Sequence, residues 1–527
     1  MRILYLDLDA LNPTHLSCYG YCRPTSPHID QIAARGLRAT NVYATDAPCL
    51  PSRTAFYSGR FGIQTGVVGH GQTAADPKVQ GPGRDFMDQY THQGLAGQLV
   101  KRGYHTAMIS PFGNRHSAHH FYAGFHEIHN TGKNGHEIVE EVEPTLNRWL
   151  DAHAQDDDWY LHLNFWDIHT PYRTPESFGD PFADAPLPDW YTPELLETQQ
   201  PRGGPHSSKD LGMYVGAAGE DFRDSEKHGS KRYPDQINTM DDVRTWINGY
   251  DTAIRYVDDA VGRLMDRLDQ ADVLDDTLVI VCADHGENQG DLGIWGDHSV
   301  ADHGTCHIPF IVAGPGITSG RVDDELHYHL DTAPSLLEVL DGHPDGCPEI
   351  WDGQSWAATW RDGTPAGQDD LVISQCCHVA QRSVRFDEAG HRWLYMRTYH
   401  DGYHGFPQEM LYDLAVDPHE LNDLAESEPE VCARGARRLG LWHDANMQKM
   451  VRFGSDVIDP LWTVMREGGP HHANLIEGRG QPQARFGGMP GYLKRLRETG
   501  RAEHAEGIIA KHGQRYAELN PGFAPLS

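Results

Sequence analysis

Three short stretches of the chain bring together residue types that can do chemistry. Near the start, Arg2-Ile3-Leu4-Tyr5-Leu6-Asp7-Leu8-Asp9 sets two carboxylates in an otherwise apolar run. If the run is a strand, Asp7 and Asp9 share one face. Two acids there are costly unless a cation or strong donors receive them, so each is either a metal ligand or a turn-capping group. The second stretch, Cys49-Leu50-Pro51-Ser52-Arg53, holds a thiol and a guanidinium just ahead of a helical pattern. A cysteine in that setting is by default a buried, inert thiol. The third, Cys282-Ala283-Asp284-His285-Gly286-Glu287, follows directly on an apolar run. Asp-His at a strand end is a plain turn or a ligand pair, and a mixed carboxylate and imidazole set suits Ca²⁺, Mg²⁺ or Mn²⁺ better than a thiolate-loving metal.

Taken together, the stretches resemble the type I, formylglycine-dependent sulfatase family of the alkaline phosphatase-like superfamily. The run from Asp46 to Arg60, DAPCLPSRTAFYSGR, is similar to the sulfatase signature, in which C-x-P-S-R marks a cysteine for oxidation to formylglycine. The resemblance implies that Cys49 becomes formylglycine, whose hydrate offers one hydroxyl to attack sulfur and a second to expel sulfate afterwards. Asp7-Leu8-Asp9, followed by Pro13-Thr14-His15-Leu16-Ser17-Cys18-Tyr19-Gly20, resembles the family's opening. That match puts Asp9 in the place of the first metal aspartate, with Asp7 beside it and Ala10 where a second often stands. Asp284 and His285 then supply the remaining protein ligands. Ca²⁺ is the expected ion, and His at 285, where Asn is usual, keeps Mg²⁺ and Mn²⁺ open. Arg53 is expected to neutralise charge on the sulfuryl oxygens together with the metal.

Two histidines sit in matching contexts. Asn164-Phe165-Trp166-Asp167-Ile168-His169-Thr170-Pro171-Tyr172 resembles the family's D-P-H-x-P-Y turn, which makes His169 a contact to the sulfate or the leaving oxygen. His298, eleven residues before Pro309, stands where many sulfatases place a lysine, and an imidazolium there could protonate the departing alkoxide. The pattern also breaks. Where G-K-W-H usually follows the G-Y-x-T strand, this chain has Ser110-Pro111-Phe112-Gly113-Asn114-Arg115-His116, so Arg115 and His116 become the candidate substrate contacts, joined by His70 in a Gly-rich loop. Among 33 histidines, position alone singles these out. The stretch from Glu409 to Leu424 resembles a late family hairpin, so the likeness runs from residue 3 to residue 424.

The activity implied is hydrolysis of a sulfate ester, with a small or terminal sulfated sugar as substrate, because the His-rich loops near 70, 116 and 298 offer donors and acceptors for hydroxyls and sulfate. Trp190 and Trp295 could stack on a sugar face, although core packing is the commoner fate of tryptophan. Hydrolysis of phosphonate monoesters or phosphodiesters with the same nucleophile is the near alternative, and non-catalytic binding of sulfated glycans is the distant one. A formylglycine-generating enzyme is the partner that maturation requires.

Elements must hold these groups in place. Arg2 to Asp9, Tyr104 to Ile109, Trp159 to Phe165 and Thr277 to Ala283 read as buried strands, and Ser26 to Arg35, Leu95 to Lys101 and Met240 to Gln270 as helices. Such alternation predicts an α/β, alkaline phosphatase-like, largely parallel sheet flanked by helices, whose ligands bind at the carboxyl ends of the strands. Residues 173–240, rich in Pro, Gly, Asp and His, read as a long excursion over the surface or the substrate mouth. After Gly342-His343-Pro344 the runs shorten, which predicts a smaller antiparallel subdomain. The expected division is a catalytic domain at 1–345, a small α+β subdomain at 346–430, and a helical and irregular extension at 431–527 that packs on the core.

Composition sets outer bounds. A chain of 527 residues with 39% hydrophobic and 23% charged residues can bury a sizeable core. A formal charge of −32 argues against nucleic acid or an anionic membrane as partner. No apolar run approaches the ~20 residues of a membrane-spanning helix, and the first residues read as a strand rather than a signal peptide, so a cytoplasmic protein is expected. Nine irregularly spaced cysteines do not make a disulfide framework. Cys376 and Cys377 read as neighbours within a strand. A homo-oligomer is compatible with all of this.

Overall fold

All seven residues of β1 (Arg2–Leu8) are buried, as expected for a strand covered on both faces by helices. The structure is a computed structural model that describes residues 1–78, 89–201, 204–207, 210, 232–234, 236–402, 404–453, 456–470, 488–519, 521–522 and 524–527. After β1 come β2 (Leu37–Tyr43), β3 (Asp46–Ala47), β4 (His105–Ile109), β5 (Glu127–His129), β6 (Trp159–Phe165) and β7 (Thr277–Cys282). They are followed by β8 (His307–Ala313), β9 (Arg321–Asp323) and β10 (His327–Tyr328). The last four are β11 (Asp370–Gln375), β12 (Ala380–Glu388), β13 (His391–His400) and β14 (Glu409–Asp413).

The large sheet has the order β10-β2-β8-β7-β1-β6-β4-β5, with β9 added beside β2. β1 runs parallel to β6 and β7, and β4 runs parallel to β6 and β5. Only β8 runs against its neighbours β7 and β2. Asp7 of β1 is level with Asn164 of β6 and Cys282 of β7, so three strand ends finish together. That is the α/β, largely parallel sheet the sequence predicts, and it makes this edge the place for a site.

The helices Leu95–Lys101 and Met240–Gln270 have the limits expected from their periodicity. The longer one starts on a reciprocal cap, in which Thr239 accepts from the Asp242 amide and Asp242 accepts from the Thr239 amide. No helix among the described residues is long and apolar enough to cross a membrane.

The small sheet has the order β14-β13-β12-β11-β3. It is antiparallel except where β3, from the first fifty residues of the chain, pairs in parallel with β11 through Asp46–Ser374 and Ala47–Gln375. The helix Pro429–Phe453 packs Val431, Cys432 and Leu439 against Val384, Phe386 and Tyr395. The approach is close enough that a Cβ at Gly435 would meet the Tyr395 ring at 2.5 Å. Cys376 and Cys377 depart from expectation: both are fully buried, but they lie just past the end of β11 rather than within it. Their burial comes from the loop that follows the strand and not from the alternation of a pleated sheet.

Of the excursion at 173–240, the structure shows a turn at Glu176–Phe178 and a helix at Pro193–Gln199, while 202–203, 208–209, 211–231 and 235 lie outside the described residues. Of the Gly- and Pro-rich stretch at 467–492, residues 471–487 lie outside them as well.

One buried ion pair ties the later segment to the small sheet. Arg382 of β12 donates to both oxygens of Asp459 at 2.8 and 2.7 Å, and Asp459 also caps the helix Pro460–Arg466. Removing one partner leaves the other charge stranded in the interior, at about 3–5 kcal/mol. Asp459→Ala is therefore expected to lower the urea-unfolding free energy by about that amount. An Arg382→Met/Asp459→Leu double variant should recover most of it, and an equal loss in both would show that packing rather than charge is at stake.

Candidate active site

Cys49 is delivered by both sheets. β3 enters the small sheet, and one residue after it the chain turns into the helix Cys49–Ser58, all of whose residues are buried. Ser52 Oγ donates to the carbonyl of Asp284 at 2.6 Å, which ties the first turn of this helix to the end of β7. Cys49 Sγ is then common to three sets of ligand atoms, in each of which all atoms lie within 4.8 Å of one another: Asp9, Asp284 and His285; His169 and His298; His70 and His116. Burial, with Asp9 and Asp284 nearby, pushes the Cys49 thiol well above its ordinary pKa. As a thiol it is protonated and a poor nucleophile.

On one side of Cys49 lie the carboxylates. Arg53, one helical turn further on, donates from Nε to Asp7 at 2.8 Å, from Nη2 to Asp9 at 2.8 Å and from Nη1 to Asp284 at 2.6 Å. Sequence reasoning aimed this guanidinium at substrate oxygens, whereas the structure has each of its nitrogens on a different carboxylate. Asp7 also accepts from His162 Nε2 at 3.2 Å. Burial alone would raise the pKa of Asp7, but Arg53 and His162 outweigh it and hold the group below the ordinary carboxylate range. Asp9 fares differently: burial and the neighbouring Asp284 push it up to about 7. Its Oδ1 is buried without a hydrogen-bond partner.

His285 completes this side. Its Nδ1 faces the Gly286 carbonyl at 2.7 Å, so that nitrogen carries the proton. Nε2 points to Cys49 Sγ at 3.1 Å and to Asp284 Oδ2 at 3.3 Å.

On the other side of Cys49 lie imidazoles. His298 stacks on His285 with ring centroids 4.7 Å apart, and His169 meets it edge-on at the same separation. His169 Nδ1 is tied to the Thr170 carbonyl at 2.5 Å. His298 Nδ1 is buried without a hydrogen-bond partner, 3.8 Å from Glu287 Oε2. Burial pushes both rings well below the usual histidine pKa, helped for His169 by His298 and for His298 by His285. His70 Nε2 accepts from the Leu50 amide at 3.3 Å, and its ring packs against His116 at 4.7 Å. Arg115 lies over the Trp166 ring at 4.9 Å and donates to the Asn134 carbonyl.

Several contributors were not singled out by sequence reasoning. Glu287 takes the Thr170 amide and hydroxyl and the Tyr172 hydroxyl, and so couples the turn after β7 to the turn after β6. Asp297 accepts from His378 Nδ1 at 2.8 Å and has His404 Nε2 at 3.4 Å. The motif around Asp284 contained Glu287 in plain view. Nothing in sequence spacing links Asp297 to His378, 81 positions away. Trp190 and Trp295 are engaged elsewhere. Trp190 stacks on His419 at 3.7 Å, and Trp295 is 2% exposed with its indole N–H on Gln199.

A sheet whose strand ends gather carboxylates, imidazoles and one cysteine in this way is the framework of an alkaline phosphatase-like hydrolase. The chain belongs to the sulfatase family, whose model matches residues 2–343, and it is an enzyme of that family. Choline-sulfatase of Rhizobium meliloti (strain 1021) is 25% identical over 447 residues, covering 76% of this chain and 78% of its own. In fold, the chain is similar to the phosphonate monoester hydrolase of Agrobacterium radiobacter, with a TM-score of 0.63, 20% identity and coverage of 84% and 96%. It is also similar to a protein solved with its substrate D-glucosamine-2-N,6-O-disulfate, with a TM-score of 0.66, 17% identity and coverage of 85% and 98%.

Sulfatases are in general metal-dependent, and the residues here fit a divalent cation. Three buried carboxylates face one guanidinium, which leaves two negative charges uncompensated if all are ionised. The orphaned Asp9 Oδ1 is a ligand atom without a partner, and His285 Nε2 lies in the same set of ligand atoms. Arg53→Met should therefore destabilise the chelated protein by about 3–5 kcal/mol, the usual penalty for breaking a buried ionic network. The Tm gained on adding Ca²⁺ should exceed that of wild type, because the cation then carries the whole compensation. Equal gains in the two proteins would show that Arg53 does not share the carboxylates with an ion.

Proposed function

We propose that this enzyme hydrolyses the sulfate ester of a small or terminal sulfated sugar, with Cys49 oxidised to formylglycine by a formylglycine-generating enzyme. The observation that carries the reading is the position of Cys49 Sγ, shared by the carboxylate set and both imidazole sets. A buried, protonated thiol would be idle there, whereas an oxygen nucleophile at that point has a cation site on one side and proton donors on the other. Converted and hydrated, the side chain supplies one hydroxyl that attacks sulfur and a second that releases sulfate by re-forming the aldehyde. Asp9, Asp284 and His285 are the residues that would hold the metal, Ca²⁺ ahead of Mg²⁺ or Mn²⁺, with Asp7 fixed behind them by Arg53. When bound, the cation acidifies the attacking hydroxyl and offsets charge on the sulfuryl oxygens.

The chain's own groups do the rest. Arg53 keeps the carboxylates in register. Arg115, His116 and His70 orient the sulfate and sugar oxygens. His298, with Nδ1 turned toward Glu287, has Nε2 left to deliver a proton to the departing alkoxide, and His169 Nε2 holds the same oxygen in line. A bound sulfate monoester is an anion, and it draws the pKa of His298 back up from the low value that burial imposes. The fold likeness to the Agrobacterium enzyme keeps phosphonate monoesters as a second reading.

Intact mass at residue 49 tests the modification: an unmodified cysteine in active enzyme would end the proposal. Cys49→Ala should cut kcat by about 10⁴-fold or more, and Cys49→Ser should stop after a single turnover with the ester trapped. Multiple turnovers by the serine variant would sink the mechanism. His298→Ala should slow alkyl or sugar sulfates by about 10²–10⁴-fold but barely affect an activated aryl sulfate, whose leaving group needs no proton. Side-by-side rates on aryl sulfate and aryl phosphonate decide between the readings. Sulfate release from sulfated monosaccharides, disaccharides and polymers decides the substrate, and faster release from internal positions of a polymer would exclude a terminal sugar.

A further inference from the structure

On the edge of the large sheet, three imidazoles converge on one carboxylate. His105 opens β4, and Glu127 and His129 bracket β5. The pairing of Ala107 with Glu127 and of Ile109 with His129 puts all three side chains on one face. His153, the last residue of the helix Val139–His153, reaches the same spot. His105 Nε2 lies 2.6 Å from Glu127 Oε1, His129 Nε2 lies 2.8 Å from Oε2, and His153 Nε2 lies 3.4 Å from Oε1. The ligand atoms of His105, Glu127 and His153 are all within 4.8 Å of one another. We propose that His105, Glu127, His129 and His153 form a second metal site, for Zn²⁺ or a similar borderline divalent ion, separate from the carboxylate centre beside Cys49.

Three features favour an ion over a plain ion-pair network. First, three Nε2 atoms from two strands and a helix end converge on one carboxylate. The rings of His126, His105 and His153 stack in succession at 5.2 Å, which orders the cluster. Second, His153 presents Nδ1 to Asp156 Oδ2 at 2.9 Å while Nε2 faces the cluster. An outer carboxylate that fixes one ring nitrogen is how a metal-bound histidine is oriented. Third, the donor set is nitrogen-rich, unlike the carboxylate-rich centre, and imidazoles with one carboxylate are ligands that Zn²⁺ takes. The side chains are 37%, 28%, 33% and 27% exposed for His105, Glu127, His129 and His153, so an ion can enter without unfolding. Bound there, it would clamp edge strand β5 and the helix end to β4.

The test is calorimetric titration of Zn²⁺ into the full chain, stripped with EDTA and then held in excess Ca²⁺, beside His105→Ala/His153→Ala. Wild type should bind about one equivalent more than the double variant, and Asp156→Asn should bind that equivalent about tenfold more weakly. Co²⁺ should give visible d–d absorption in wild type that the variant lacks. Glu127→Gln, which keeps the shape of the site, should lose the same equivalent even if the double variant folds poorly. Turnover by Glu127→Gln should match wild type, which separates this site from the one beside Cys49. Equal Zn²⁺ stoichiometry and equal Co²⁺ spectra in wild type and both variants would overturn the site and leave an ion-pair network.

Discussion

Arg53 stands between the ends of two parallel strands and meets a different carboxylate with each nitrogen: Asp7 of β1, Asp9 just after it, and Asp284 from the turn after β7. Its guanidinium also lies over the Phe112 ring at 4.2 Å. A lysine could not replace it, because only a planar fork can serve several carboxylates at fixed angles. Every other feature of the site inherits this geometry. The helix that carries Arg53 begins with Cys49, so the grip that orders the carboxylates also sets the distance from them to Cys49 Sγ. Three buried acids could not be gathered at two strand ends without it, since their mutual repulsion and desolvation would oppose the sheet register that places them.

The small sheet takes a direct part in that placement. β3 is two residues long, and its partner β11 begins more than three hundred residues later. Through it, the small sheet holds the chain immediately before Cys49 while the large sheet holds Asp284, and the Ser52–Asp284 hydrogen bond closes the gap between them. His378, from the loop after β11, reaches Asp297 beside the pocket. The two sheets therefore meet at Cys49, and displacement of either one changes its distance from the carboxylates.

Much of the fold was legible in the sequence for a simple reason. Parallel strands covered on both faces are continuous apolar runs, and Arg2–Leu8, Trp159–Phe165 and Thr277–Cys282 are runs of this kind. Leu95–Lys101 and Met240–Gln270 showed their helical period equally plainly. Of the candidate site, the short motifs supplied residues that the structure brings together: Asp9, Cys49, Asp284, His285, His169 and His298 lie around one point. Side-chain direction was not. Arg53 was expected to neutralise charge on the sulfuryl oxygens, and the direction in which its buried guanidinium turns depends on carboxylates 44 and 231 positions away. The Asp297–His378 pair and the β3–β11 pairing were out of reach for the same reason, since each joins segments that no local pattern relates. Trp190 and Trp295 were read as possible sugar platforms and are occupied by His419 and Gln199.

The charge balance of the pocket follows from these placements. A chain with a formal charge of −32 repels anions at long range, so an anionic ligand of this pocket would have to be drawn in by local groups. Cys49 divides those groups into a carboxylate side and an imidazole side. The carboxylate side is closed to an anion until a cation covers Asp9, and the imidazoles, kept neutral by burial, offer hydrogen bonds without charge. Asp297, which sits next to His298, would be a third source of repulsion. His378 and His404 engage it, outweigh the effect of its burial and hold it firmly ionised, so its charge is spent on two imidazoles and not on the pocket. With all three carboxylates ionised the cluster carries two negative charges beyond those met by Arg53, so a divalent cation would bring it to neutrality and remove its repulsion of an anion.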